Sequence, residues 1–424
     1  MTNTTEQKNY ALPIAMMFAL FFMVAFVTGL PSPMGVIVAK QFGASNFQSQ
    51  LGFLGNFLAY AFMGIPAGMM LKKIGYKKTA LAAIAVGFVG VSVQFLSGQV
   101  GSFTVYLAGA FISGFSMCML NTVVNPMLNT LGGGGNSGNR LLQSGGTINS
   151  IGATITPMLV GWLMGAEAGR TIEKANPALF LAMGIFALAF VVLFFVNIPE
   201  PHMEAATEKK VKHEHGPLSF RHFILGIIAI FIYVGVEIGI PSTANLFMTA
   251  SQSSSNVGLG MDAAAAGSIV AIYWLLMLVG RFIGASVGSK VSSKTMMTFV
   301  SALGLVFILA AILCPLSSVV TIPVVGTVVP YSVLFIILCG LCTSIMWGGI
   351  FNLAVEGLGK YTAAGSGFFM VMVCGGGIVP LIQGWFSDHF GYINSYWVMF
   401  LCLAYLLFYS IVGCKNVNKD IPVE

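Results

Sequence analysis

The 424-residue chain is 57% hydrophobic and only 8% charged, with a mean hydropathy of +0.90. A soluble globular chain carries roughly a quarter of its residues as charges, so a soluble domain is excluded. The net charge of +6 needs no nucleic-acid partner, because the basic residues gather in alternate joints between apolar runs.

Hydrocarbon offers no partners to backbone N–H and C=O groups, so a spanning segment is a helix or part of a closed barrel. Long continuous apolar runs select helices, since barrel strands alternate over about ten residues. The predicted fold is therefore all-α, a polytopic membrane protein of about twelve spans. The polar stretch 1–10 leads into a first span that lacks the cleavage signature of a signal peptide and is expected to stay. Six spans are expected over about residues 11–38, 51–71, 80–95, 103–131, 141–164 and 179–196. Six more follow over about 223–248, 263–287, 297–313, 331–355, 365–386 and 395–412.

Between the sets lies the longest charged stretch, with Glu204, Glu208, Lys209, Lys210, Lys212, His213, Glu214 and His215. It reads as a solvated linker and not as a metal site. The expected organisation is an N-terminal bundle 1–198, a linker 199–220 and a C-terminal bundle 221–424. Two such groups predict bundles related by a pseudo-twofold axis, with a substrate site between them. Lys72, Lys73, Lys77, Lys78, Arg140, Lys209, Lys210, Lys212, Arg221, Arg281, Lys290, Lys294, Lys360, Lys415 and Lys419 fall on one face if the spans alternate. Lys40, Arg170 and Lys174 fall on the other. The positive-inside rule then puts both termini in the cytoplasm, with the chain in the inner or plasma membrane.

Two motifs carry less than they promise. Cys339 and Cys342 form a CxxC inside an apolar span with no second ligand pair, which reads as packing and not zinc. The run Gly132, Gly133, Gly134, Gly135, Asn136, Ser137, Gly138 lacks the lysine and hydroxyl of a P-loop and reads as a flexible joint. No metal site, resident cofactor or catalytic nucleophile is expected, so the protein is not read as an enzyme.

Polar residues inside spans are costly in lipid and normally face the interior or a wet cavity. Asn121 and Asn125, spaced i, i+4, share a face of the fourth span and offer amide donors and acceptors to hydroxyls. Interhelical hydrogen bonding is the competing role. Glu237 is the one acidic residue well inside a span; it is a candidate to bind hydroxyls, exchange a proton or help hold sodium beside Ser242 and Thr243.

Several motifs together carry a family resemblance. Gly64, Pro66, Gly68, Lys72, Lys73, Gly75, Lys77 and Lys78 resemble the loop signature of the major facilitator superfamily, without its usual acidic residue. Asn121 to Pro126, Arg140 with Leu141, Asn149 to Gly152, Ile350 to Ala354, Gly375 to Val379 and Ser387 with Asp388 resemble its fucose:proton symporter family. Tyr233 to Glu237, Tyr273 with Trp274, and Gly280 to Phe282 look more like the glucose/galactose branch. The resemblance implies the major facilitator fold and a hexose substrate. It adds Asn149, Trp274, Trp347 and Asn352 to the candidate site, with the indoles as stacking platforms for a pyranose. Ser32 and Asn121 occupy places where the fucose branch carries carboxylates, so any coupling must run through another group, and Glu237 is the candidate. Trp162, Trp385 and Trp397 fit interfacial belts better.

The expected function is secondary active import of a neutral hexose, glucose/galactose or fucose-like, by a monomer in the bilayer. A proton or sodium ion is the expected coupling partner. A drug or metabolite exporter of the same superfamily and a non-transporting membrane sensor are the alternatives.

Overall fold

The computed structural model describes residues 10–131, 135–164, 171–198, 200, 215–253, 256–287, 291–323, 325–358, 361–418 and 420–422. Most of the charged linker, Lys360, Lys419 and Gly132 to Gly134 lie outside them. Among the described residues eleven segments are long and apolar enough to cross a membrane. They are α1 Ala11–Gln41, α2 Leu51–Leu71, α3 Lys73–Val100, α4 Phe103–Leu128, α6 Ile172–Phe195, α7 Arg221–Thr249, α8 Ala263–Gly284, α9 Ser293–Leu313, α10 Tyr331–Val355, α11 Phe368–Phe390 and α12 Tyr396–Gly413.

The remaining long helix, α5 (Gly135–Met164), is the least apolar for a physical reason. Gly146, Asn149, Ala153 and Pro157, spaced three and four apart, line an interior cavity, so this face meets neither lipid nor a sealed core. The helix already runs through Asn136 to Gly138, which corrects the expected flexible joint there.

Helices α1 to α6 form one bundle and α7 to α12 the other. The bundles meet along α5 against α8 and along α2 against α11. Proline removes backbone bonds from several helices. α1 is interrupted at Leu30, before Pro31 and Pro33, and α7 carries Pro241 in its interior. The helical run from α2 breaks near the start of α3 at Gly75, whose φ of +85° is a conformation open to glycine. The Glu200 carboxylate caps the new helix start there, accepting from Tyr76 N at 2.6 Å and Lys77 N at 3.0 Å.

One feature has no counterpart among the expected elements: an antiparallel hairpin of β1 (Val319–Ile322) and β2 (Thr327–Pro330) between α9 and α10. Its signal is local. Consecutive β-branched residues, Val319 to Ile322 and Thr327 to Val329, fill both strands around a turn at Gly326, φ +68°.

The end of the bundles carrying the 199–220 linker is the linker end, and the opposite one the far end. The far end is sealed across the bundles. Asp388, at the end of α11, accepts from the backbone of Asn46 at 2.7 Å and Phe47 at 2.8 Å, at the start of the one-turn helix Asn46–Ser49. Gln50 donates to Ser242 at 3.3 Å and Thr243 at 3.5 Å, and Asn245 to Ser32 at 3.3 Å. Gly384 lets α11 approach this helix so closely that a Cβ would lie 2.8 Å from the Asn46 carbonyl.

Candidate functional site

Below the far-end seal, between the bundles, lies a cavity of about 770 Å³. Asn121, Asn125, Asn149, Glu237, Trp274, Trp347 and Asn352 all line it, from helices α4, α5, α7, α8 and α10. Ser293 and Met296, in the first turn of α9, line its other extremity, and Ser144, Gly348 and Asn352 on its wall are exposed. It therefore opens toward the linker end.

The asparagines combine the two roles open to them. Asn121 Nδ2 donates to the Tyr60 hydroxyl of α2 at 2.8 Å, and Asn125 Nδ2 to the Asn121 carbonyl at 2.8 Å. Asn149 Nδ2 donates to the Phe21 carbonyl of α1 at 3.1 Å. Each amide is thus fixed on its nitrogen side by its own bundle, while among the described residues its Oδ1 has no hydrogen bond. A donor entering the cavity finds oriented acceptors.

The opposite wall supplies aromatic surfaces and a carboxylate. Trp347 is braced by Tyr233, ring centroids 6.3 Å apart at 62°, and Trp274 by Tyr273 at 5.3 Å and 89°. Edge-to-face bracing holds each indole in place against rotation. Trp162, Trp385 and Trp397 project instead from the outer surface. Pro241 has no N–H to give to the Glu237 carbonyl one turn back, and that carbonyl accepts from the Tyr273 hydroxyl at 3.2 Å. The backbone bearing Glu237 is thereby pinned to α8.

Arg281 is the residue that sequence reasoning misplaced. Counted with the basic charges of one membrane face, it is carried on α8 within the expected eighth span, and its side chain lines the cavity. Nη2 lies 3.9 Å from Glu237 Oε1, and Nη1 donates to the Gly146 carbonyl at 2.9 Å and to Ser150 Oγ. The available signal was the unpaired Glu237, since an intramembrane carboxylate calls for a cation. Ser242 and Thr243, expected as its oxygen neighbours, instead engage Gln50 in the far-end seal. Cys339 and Cys342 are buried in α10, with Cys339 Sγ bonded to the Phe335 carbonyl at 3.4 Å.

Charged side chains of opposite sign, oriented amides and braced indoles in one cavity suit a neutral, hydroxyl-rich solute. The curated protein most informative here is the glucose/galactose transporter of Brucella abortus, 30% identical over 419 residues, covering 98% of this chain and 97% of that protein. The L-fucose-proton symporter of Escherichia coli is 24% identical over 430 residues, covering 96% and 94%. Among solved structures, FucP in the outward conformation superposes with a TM-score of 0.67 at 22% identity, covering 96% of this chain and 100% of that one. The profile of the Major Facilitator Superfamily matches residues 17–380. With two six-helix bundles around a central cavity, and a match over most of its length, the chain belongs to the major facilitator superfamily.

Proposed function

We propose that this protein imports a neutral hexose, glucose, galactose or a fucose-like sugar, by alternating access, coupled to a proton or sodium ion. The observation that carries the reading is the convergence of Asn121, Asn125, Asn149, Glu237, Trp274, Trp347 and Asn352, drawn from both bundles, on one cavity. The names of the Brucella abortus and Escherichia coli relatives support the sugar class. Basic residues clustered at the linker end support an inner-membrane orientation with both termini cytoplasmic. The far end is then extracytoplasmic, and the conformation described here is inward-open. The whole path lies within one chain, and the proposed working unit is a monomer.

Transport follows from the two closures. Sugar entering from outside binds when the far-end contacts of Asp388, Gln50 and Asn245 are parted, with its hydroxyls on the asparagine oxygens and Glu237 and its C–H face on an indole. Ion binding at Glu237 neutralises the carboxylate of the loaded carrier, and the bundles rock to expose the site inward. An exporter would be expected to have a more apolar cavity than one lined by these amides.

Uptake of a sugar panel into proteoliposomes, under separately imposed proton and sodium gradients, tests this. Accumulation of a hexose under one gradient is expected. No hexose flux across the panel would overturn the reading, and flux indifferent to both ions would make the protein a uniporter with Glu237 as a sugar ligand.

A further inference from the structure

Among the described residues lining the cavity, Glu237 and Arg281 are the only charged side chains. Their 3.9 Å separation exceeds the roughly 2.7–2.9 Å of a charge-assisted hydrogen bond. The other side of the guanidinium explains the gap. Its Nη1 is bonded to the Gly146 carbonyl and to Ser150 Oγ, both on α5 of the opposite bundle. Arg281 is thus shared between the carboxylate on α7 and acceptors across the bundle interface.

We propose that Arg281 is the counter-charge that lets the empty carrier reorient, and so governs the return half of the cycle. The inference rests on the reading of Glu237 as the coupling group. Closing the cavity around a lone carboxylate would strand a charge away from water, whereas a neutral pair can be enclosed. In the loaded carrier the ion neutralises Glu237, while sugar hydroxyls take the place of its carboxylate at the guanidinium. Removing either member of the pair therefore strands the other only when the site is empty. Net transport, which needs the empty return, fails, while exchange between loaded forms continues. Removing both gives an uncharged cavity that returns without an ion.

The return step is readable without sugar. Thr243 is buried in the far-end seal, where Gln50 contacts it at 3.5 Å. In a Cys314→Ser background, Thr243→Cys is reached by a membrane-impermeant maleimide from the far side only while that end is open. In sugar-free vesicles, Arg281→Gln is expected to slow this labelling on the order of a hundred-fold, the effect of leaving one member of a buried pair alone. Glu237→Gln/Arg281→Gln is expected to restore it to within a few-fold of the parent, and Arg281→Lys to stay near the parent. Should Arg281→Gln not reach the membrane, Glu237→Gln carries the test from the other side: it strands Arg281, slows labelling, and is rescued by the double variant. Labelling unchanged in the single variant, or unrescued in the double, overturns the proposal. Hexose uptake measured on the parent in parallel separates the two readings. Its absence refutes the sugar assignment and leaves the labelling result to decide the role of Arg281.

Discussion

Asp388→Asn tests the far-end seal, because it removes a charge while keeping the size of the side chain. The carboxylate accepts two backbone N–H groups, at 2.7 and 2.8 Å, from the opposite bundle. A hydrogen bond to a charged group contributes about 1.5–3 kcal/mol. Asn keeps one acceptor oxygen and turns its NH₂ toward the second donor, and the site is only half-buried. The expected loss is therefore about 1–2 kcal/mol, close to that of losing a helix N-cap. At about 1.4 kcal/mol per ten-fold, the ratio of sealed to open far ends falls roughly 5- to 30-fold. Far-side maleimide labelling of Thr243→Cys should rise by that factor in sugar-free vesicles. Labelling unchanged in both Asp388→Asn and Asp388→Ala, with normal membrane levels, would refute the argument that this contact holds the end shut.

Three further outcomes follow from the same geometry. Asn121→Ala should weaken hexose binding by about 1–3 kcal/mol, because a sugar hydroxyl is left unpaired in the site; unchanged affinity by titration would reduce Asn121 to a partner of Tyr60. Glu237→Gln should leave hexose exchange measurable in counterflow and abolish gradient-driven accumulation, and a variant that still concentrates sugar with the parent's ion response would remove Glu237 from coupling. Gly75→Ala should lower stability by about 1–3 kcal/mol, since φ +85° with ψ 175° is a glycine conformation and the new Cβ would meet the Glu200 carboxylate at 2.5 Å. A thermal midpoint equal to the parent's would contradict that.

How far the sequence discloses this site depends on whether a residue acts along its own helix or across the fold. Asn121 and Asn125 declare themselves by i, i+4 spacing within an apolar run, and the cavity face of α5 is visible in its low apolarity. Arg281 does not, because a basic residue near a span end has the same local pattern whether it anchors in headgroups or turns inward. Only the three-dimensional position of α5, bearing Gly146 and Ser150, distinguishes the two. The seal is hidden for a related reason. Asp388 and Asn46 are 342 residues apart, and hydropathy records neither their meeting nor the glycine that permits it. The hairpin around Gly326 is a different omission: its β-branched runs are legible, but they lie between two apolar spans and share their hydropathy.

The central claim is that a hexose binds between the bundles, and intrinsic tryptophan fluorescence reads it directly. Trp274 and Trp347 line the cavity, while Trp162, Trp385 and Trp397 are 69%, 44% and 41% exposed on the outer surface. Purified protein with those three replaced by Phe should show a saturable fluorescence change with glucose, galactose or a related hexose, and Trp274→Phe/Trp347→Phe in the native background should lose it. A folded protein whose cavity tryptophans respond to no hexose would contradict the account.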